Sequence, residues 1–237
     1  MAFVITMAGL SSRFHNAGYR VPKYALEISN VSLLARSVSS FEKYFQTDLF
    51  IFVIRDDGFA EAFLKREISL LGITFFRIVV LEKDTLGQAE TLFLGLKDYL
   101  EDFPIYVFNI DTIRLNFRKT TIADECDGYL EVFRGGGSNW SFVEPGKNKL
   151  VLRTTEKDPI SDLCSNGLYF FRSHFQLQDA FLSLDRKKDL VKGEIYIAPL
   201  YNKLIKCGAI IKFDEILSCN IKFCGTPDEY LKLVKEL

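Results

Sequence analysis

Residues 3–23 read FVITMAGLSSRFHNAGYRVPK. The apolar run 3–7 has the length and β-branched content of a buried strand. Behind it come Ala8 and Gly9, small enough for a tight turn, then Arg13, eight further residues, and Pro22-Lys23. A surface turn needs glycine and polar residues; it does not need an arginine and a lysine at fixed offsets behind a strand. An arginine forks onto phosphate oxygens through two N–H groups, and a lysine supplies a mobile point charge. Successive backbone N–H groups of residues 9 to 13 can form a nest for the same oxygens. The stretch therefore reads as an anion-holding loop, with an ordinary charged solvent loop as the competing reading. It is neither a P-loop nor a dinucleotide fingerprint, since GxxxxGK[ST] and GxGxxG are both missing.

Outward from this loop, further strands are expected at 49–55, 75–81 and 104–110. Between them SLLARSVSSFEKYF (32–45), FAEAFLKREISLLG (59–72) and GQAETLFLGLKDYLE (87–101) place their apolar residues on one helical face. Alternation of this kind predicts βα units and a mostly parallel sheet. After Asp111 the rhythm changes: residues 128–157 alternate apolar positions with Gly and Pro-Gly punctuation, which predicts antiparallel strands. NGLYFF (166–171) and AIIKFDEI (209–216) read as strands, 174–184 and 194–206 as helices. TPDEYLKLVKEL (226–237) reads as a last helix capped by Thr226 with Pro227 in its first turn. The expected fold is α/β: a three-layer, Rossmann-like, mostly parallel sheet flanked by helices, with an inserted antiparallel β segment, in a single domain over 1–237.

Composition narrows the function classes. Lys and Arg number 30 against 31 Asp and Glu, so no global basic field points to nucleic acid and any anion site is local. No apolar run reaches the ~18 residues of a membrane span. The N-terminus lacks a basic region and a cleavage site, and reads as a first strand rather than a signal peptide. Five cysteines (126, 164, 207, 219, 224) with no Cys-x-x-Cys and no histidine partners at ligand spacing fit reduced thiols in a cytoplasm. His15 and His174 read as loop or surface residues rather than a metal centre.

The loop and a series of later segments resemble one family. MAGLSSRFHNAGYRVPK (7–23) is similar to the signature of sugar-nucleotide-type nucleotidyltransferases, the GT-A-like pyrophosphorylases: Ala-Gly-x-Gly-[Ser/Thr]-Arg-[Phe/Leu], a spacer, then Pro-Lys. TLGQAETL (85–92), VFNID (107–111), Glu156-Lys157, NGLYFF (166–171), GEIYIAPLYNKLI (193–205) and GTPDEY (225–230) resemble the family's later elements, in the family's order. The matches span almost the whole chain.

The resemblance implies attack by a phosphate monoester on the α-phosphorus of a nucleoside triphosphate with loss of pyrophosphate, 1–115 forming the nucleotide half and 116–237 the acceptor half. It implies catalytic roles for Arg13, Lys23 and Asp111, with Asp111 holding Mg²⁺. Ala8, Gly9, Ser11, Ser12, Gly87, Gln88 and Glu90 would bind the nucleotide, and Glu156, Lys157, Gly167 and Glu194 the phosphorylated acceptor. Asp57 is a weaker acidic candidate, Trp140 and Phe142 are candidate pocket walls, and the run DRKKDLVKGE (185–194) is a candidate basic rim. The partners implied are an NTP and a phosphorylated small molecule, with no nucleic acid and no membrane insertion; a homodimer stays open.

Three departures stand out. Ser11 replaces the loop's second glycine, NIDT (109–112) replaces the usual Gly-Asp-Asn or Gly-Asp-His, and Phe223 stands where many relatives carry a second metal-binding aspartate. Asn220 or Asp214 would compensate, or a single protein carboxylate would suffice. The leading reading is a nucleotidyltransferase acting on a sugar phosphate for capsule or surface-polysaccharide assembly. Its variant is a cytidylyltransferase acting on a non-sugar phosphomonoester such as phosphocholine or a phosphorylated amino-acid derivative. A catalytically silent nucleotide-sensing subunit and a glycosyltransferase are the competitors from other classes.

Overall fold

The computed structural model of the chain describes residues 1–186 and 188–236; Lys187, within the charged run 185–194, and Leu237, in the expected last helix, lie outside them. The first half alternates as expected. β1 (Ala2–Thr6) leads through α1 (Ser12–Asn16), a hairpin of β2 (Glu27–Ile28) and β3 (Val31–Ser32), and α2 (Leu33–Val38) to β4 (Leu49–Arg55). Then follow α3 (Ala60–Leu71), β5 (Phe76–Leu81), α4 (Gln88–Leu96) and β6 (Ile105–Asn109). The second half holds β7 (Thr112–Arg114), β8 (Gly128–Arg134), β9 (Ser141–Pro145), β10 (Val151–Glu156) and β11 (Leu163–Phe171). It ends with α5 (His174–Leu182), α6 (Leu200–Lys206), β12 (Ile211–Glu215), β13 (Ile221–Phe223) and α7 (Pro227–Glu236).

Three expected helices are shorter than their sequence pattern. The segment 32–45 leaves α-helix at Val38 and continues as a 3₁₀ turn, bent at Phe41 (φ −112°), which drops the Phe41 ring into the core. The segment 87–101 stops at Leu96, where Tyr99 and Phe103 fold back edge-on against each other, 5.4 Å between centroids. Residues 194–199 are not α-helical: Ile195 donates to the Leu86 carbonyl at 2.6 Å and accepts from the Ala89 amide at 3.1 Å, which ties this stretch to the start of α4 before it turns at 197–199. Pro199, which lacks an N–H, marks where α6 begins. The expected cap of the last helix is present as a reciprocal pair, with Glu229 accepting the Thr226 amide at 2.9 Å and Thr226 Oγ1 the Glu229 amide at 3.3 Å. His174 corrects the surface reading: it is fully buried against the Phe103 ring, its Nδ1 accepts the Phe103 amide at 3.2 Å, and burial lowers its pKa.

β1 pairs in parallel with β4 on one side and β6 on the other, and β5 pairs in parallel with β4. Antiparallel β11 continues the sheet past β6. Beyond β6, along the same edge of β11, comes β9 with β10 outside it; along the opposite edge runs β8, with β12 parallel outside it. Alternation splits the sheet's two faces by residue type. Ala2, Val4, Ile51, Val53, Ile105 and Val107 join one core with α4, α5 and α6; Phe3, Ile5, Phe50, Phe52, Tyr106 and Phe108 join the other with α2 and α3. On the aromatic face the Phe3 ring lies 4.7 Å from Phe41, 5.0 Å from Phe50 and 5.1 Å from Tyr106. On the aliphatic face α4 sits so close that a Cβ at Gly95 would run into Val53. Among the described residues no helix is long and apolar enough to cross a membrane.

One buried ion pair crosses the sheet. Arg114 on β7 donates to Glu131 on β8 from Nε at 2.7 Å and Nη2 at 3.0 Å, with both residues buried. Asn166 on β11 donates to the same carboxylate at 2.6 Å, and its carbonyl accepts the Thr112 hydroxyl at 3.0 Å. Burial raises the Glu131 pKa despite these donors. Arg114→Met should leave that carboxylate buried without its fork, lowering the unfolding free energy by about 3 kcal/mol or more. The check is the urea midpoint, which should fall with an unchanged slope.

Candidate active site

The order β6-β1-β4-β5 places the topological switch point between β1 and β6, two parallel strands whose carboxyl ends share one rim of the sheet. Chains leaving such a pair diverge and open a crevice, which is where open α/β sheets bind ligands. The loop after β1 and the turn after β6 carry the residues that the sequence singles out.

Ser11 stands at φ 53°, ψ 26°, so the position where the family pattern has glycine does require the left-handed region here. Serine takes it at a cost of order 1 kcal/mol. Its hydroxyl accepts the Lys23 backbone N–H at 3.1 Å. Phe14, buried, roots the loop, edge-on to Tyr19 and to Tyr230 of α7 at 5.4 and 6.2 Å. The Tyr230 hydroxyl donates to the Glu27 carbonyl at 2.8 Å. Among the described residues no hydrogen bond engages the amides of Gly9, Leu10, Ser11, Ser12 or Arg13.

Lys23 and Asp111, 88 positions apart, meet: the ammonium donates to Asp111 Oδ1. The Lys23 side chain is mostly covered, at 13% exposure, while Asp111 keeps 42% and has a free face toward solvent. Asp111 is fixed from behind, since its carbonyl accepts the Cys224 amide at 2.7 Å and a Cβ on Gly225 would stand 3.0 Å from its Oδ2. Asp57 is occupied otherwise. It caps α3 by accepting the amides of Phe59 at 2.9 Å and Ala60 at 2.7 Å, and it accepts the Tyr24 hydroxyl at 3.1 Å. Partial burial pushes its pKa up, but these donors outweigh that and hold it below the usual carboxylate range.

At the start of α4, Gly87 has φ 119°, and a Cβ there would stand 2.7 Å from the Ile195 carbonyl, so only glycine permits this junction of the two halves. Gln88 donates to Thr6 Oγ1 at 2.9 Å, at the end of β1. Glu90 is engaged with its own helix end and the rim: it accepts the Leu86 amide at 2.6 Å and pairs with Arg186 at 3.3 Å.

Across the crevice, Glu156 is buried and accepts the Ser141 hydroxyl; burial raises its pKa, against Ser141 and Lys157. Lys157, at φ 59°, donates its amide to the Trp140 carbonyl at 2.8 Å and its ammonium to the Tyr196 hydroxyl. Burial and Glu194 push the Tyr196 hydroxyl far up in pKa, and Arg13 pulls it down. Gly167 (φ 91°) brings its backbone against Asn109 at the end of β6; a Cβ would lie 2.6 Å from Asn109 Nδ2. Tyr196 and Asn109 were not assigned from sequence, although both lie inside quoted segments, two residues past Glu194 and two before Asp111.

The replaced aspartate is an aromatic contact. Phe223 packs on Trp140 at 4.7 Å and on Phe133 at 5.3 Å. Phe142, expected as a pocket wall, is instead fully buried in the core beneath these rings. Asp214 does not stand in for the missing acid, because it lies on β12 opposite Glu131 and pairs with Lys149 at 3.7 Å. Asn220 gives its carbonyl to the Leu115 amide at 2.8 Å. Among the described residues no group of three or more Asp, Glu, His or Cys is placed to hold a metal ion.

Comparison with family models and with curated proteins finds no match. Solved structures do match. A nucleoside-diphosphate-sugar pyrophosphorylase from Vibrio cholerae RC9 is 42% identical, with TM-score 0.93 over 99% of this chain and 100% of its own. A UDP-glucose pyrophosphorylase complexed with UDP-glucose (14% identical, TM-score 0.78, 99% of this chain and 97% of its own) shares the fold. So does the inositol-1-phosphate CTP transferase from T. maritima (15%, TM-score 0.76, 99% and 95%).

The Glu156 environment makes a signed prediction. In the fold this carboxyl holds its proton to higher pH than in the unfolded chain, so its contribution favours folding below the ordinary carboxylate range and is lost as pH rises through the raised value. Glu156→Gln should therefore gain stability relative to wild type as pH rises above the ordinary carboxylate range, in urea denaturation series. A pH-independent difference would refute the assignment.

Proposed function

The chain belongs to the nucleoside-diphosphate-sugar pyrophosphorylase family of nucleotidyltransferases, and on that premise we propose that it joins a nucleoside monophosphate from an NTP to a phosphorylated small molecule. An oxygen of the acceptor's phosphate attacks the α-phosphorus, the bond from that phosphorus to the bridging oxygen of the β-phosphate breaks, and pyrophosphate leaves. Repulsion between two anions is the main obstacle, so positioning and positive charge are the main tools. The observation that carries the reading is the meeting of Lys23 with Asp111 at the switch point, from loops 88 positions apart.

In this reading the amides of residues 9–13 and Arg13 hold the outer phosphates. Lys23 serves the α-phosphate and the incoming oxygen, and Lys157 holds the acceptor's phosphate. Gly87 and Gln88 flank the base, and Glu156 and Glu194 line the acceptor pocket. Asp111 suits a substrate-delivered cation, because a single carboxylate with an open face is the usual protein share of a Mg²⁺ site completed by phosphate oxygens and water. Mg²⁺ bound there would neutralise charge on the triphosphate.

The acceptor proposed first is a sugar phosphate, its activated product serving capsule or surface-polysaccharide assembly. A second reading, a compact non-sugar phosphomonoester, draws on the packed rings of Trp140 and Phe223 and on Tyr196 near Glu194. Aromatic faces with carboxylates also suit a cationic head group. All five cysteines are free thiols, in keeping with a cytoplasmic enzyme.

Purified protein incubated with each NTP, Mg²⁺ and a panel of sugar phosphates, phosphocholine and related monoesters should release pyrophosphate with one pairing. Lys23→Ala and Asp111→Ala should each lower kcat/KM at least ~10²-fold without loss of fold. NTP binding with no pyrophosphate from any pairing would instead identify a silent nucleotide-binding subunit.

A further inference from the structure

Ser11 answers two demands that a glycine cannot meet together. Its backbone takes the left-handed conformation at φ 53°, and its hydroxyl accepts the Lys23 N–H at 3.1 Å, closing a twelve-residue excursion. Pro22 has no N–H, so Lys23 carries the first backbone donor after Val21. Lys23 also opens the 3₁₀ turn Lys23–Ala25, whose leading amides have no acceptor within the turn. The turn is then fixed at two further points: the Lys23 ammonium on Asp111 and the Tyr24 hydroxyl on Asp57. Among the described residues no other hydrogen bond joins residues 9–13 to residues 20–25.

We infer that Ser11 is a positioning residue. Its hydroxyl latches the entry of the loop to its exit, so that the free amides of residues 9–13 and the Lys23 ammonium present to one ligand in a fixed relation. The inference rests on the phosphate-binding reading of this loop. The replacement of glycine by serine at position 11 then trades backbone ease for a side-chain tether.

Two variants of the full chain separate the tether from the backbone. Ser11→Gly removes the hydroxyl and relieves the left-handed conformation; Ser11→Ala removes the hydroxyl and keeps the conformational demand. Hydrogen exchange at the Lys23 amide, followed by NMR, should accelerate at least ~10-fold in both, because the acceptor is gone in both. KM for the NTP in the pyrophosphate-release assay should rise about 10-fold in both with kcat changed less, while Ser11→Gly melts no lower than Ser11→Ala. A purely conformational role predicts instead that Ser11→Gly matches wild type. Wild-type exchange at Lys23 or wild-type KM in Ser11→Gly overturns the inference. If wild type itself releases no pyrophosphate with any pairing, the enzymatic reading has failed, and the exchange measurement still decides whether the tether exists.

Discussion

A guanidinium and a carboxylate, both withdrawn from water, hold the turn on which the site is built. Arg114 forks onto Glu131, Asn166 adds a donor to the same carboxylate, and Thr112 is tied to the Asn166 carbonyl. Ser37 of α2 completes the cage by donating to the Thr112 carbonyl at 2.8 Å. Asp111 is the residue immediately before this knot. Burying such charges costs desolvation free energy that good geometry only offsets, so the arrangement is better understood as fixing position than as adding stability. The same knot joins β7, β8 and β11, coupling the turn after β6 to the antiparallel half of the sheet.

The division of the sheet into an aromatic and an aliphatic face explains where the crevice opens. Bulky rings fill the space under α2 and α3, whereas Ala, Val and Ile let α4 approach closely enough to require Gly95. The N-terminus of α4 is thereby drawn to the end of β1, where Gln88 reaches Thr6 and Gly87 lies against Ile195. Lys23 and Lys157 each hold a partner at the rim, the first Asp111 and the second the Tyr196 hydroxyl.

Periodicity and turn chemistry were enough to read the parallel half, because its strands are continuous apolar runs and its helices keep one face. The helix ends were less legible. The bend at Phe41 and the non-helical stretch 194–199 are set by tertiary contacts, a ring entering the core and a backbone pairing with Leu86 and Ala89, which leave no local signature. His174 was misread for the same reason, since its burial depends on Phe103 seventy-one positions away. In the site, Lys23 and Asp111 were singled out by the resemblance, while their direct contact required coordinates. The tether from Ser11, the capping duty of Asp57 and the displacement of Asp214 onto β12 required coordinates, because each depends on which way a side chain turns.

The C-terminal helix reaches back to the first loop. Tyr230 presses on Phe14 and Tyr19, and Leu233 shares their small core with Leu26, Leu33 and Ile113. The loop at 11–23 thus takes one of its walls from the last helix, on which neither large core of the sheet depends. Taking α7 away would therefore uncover Phe14 and Leu33 and strip one wall from the loop, while both large cores of the sheet would keep all their members.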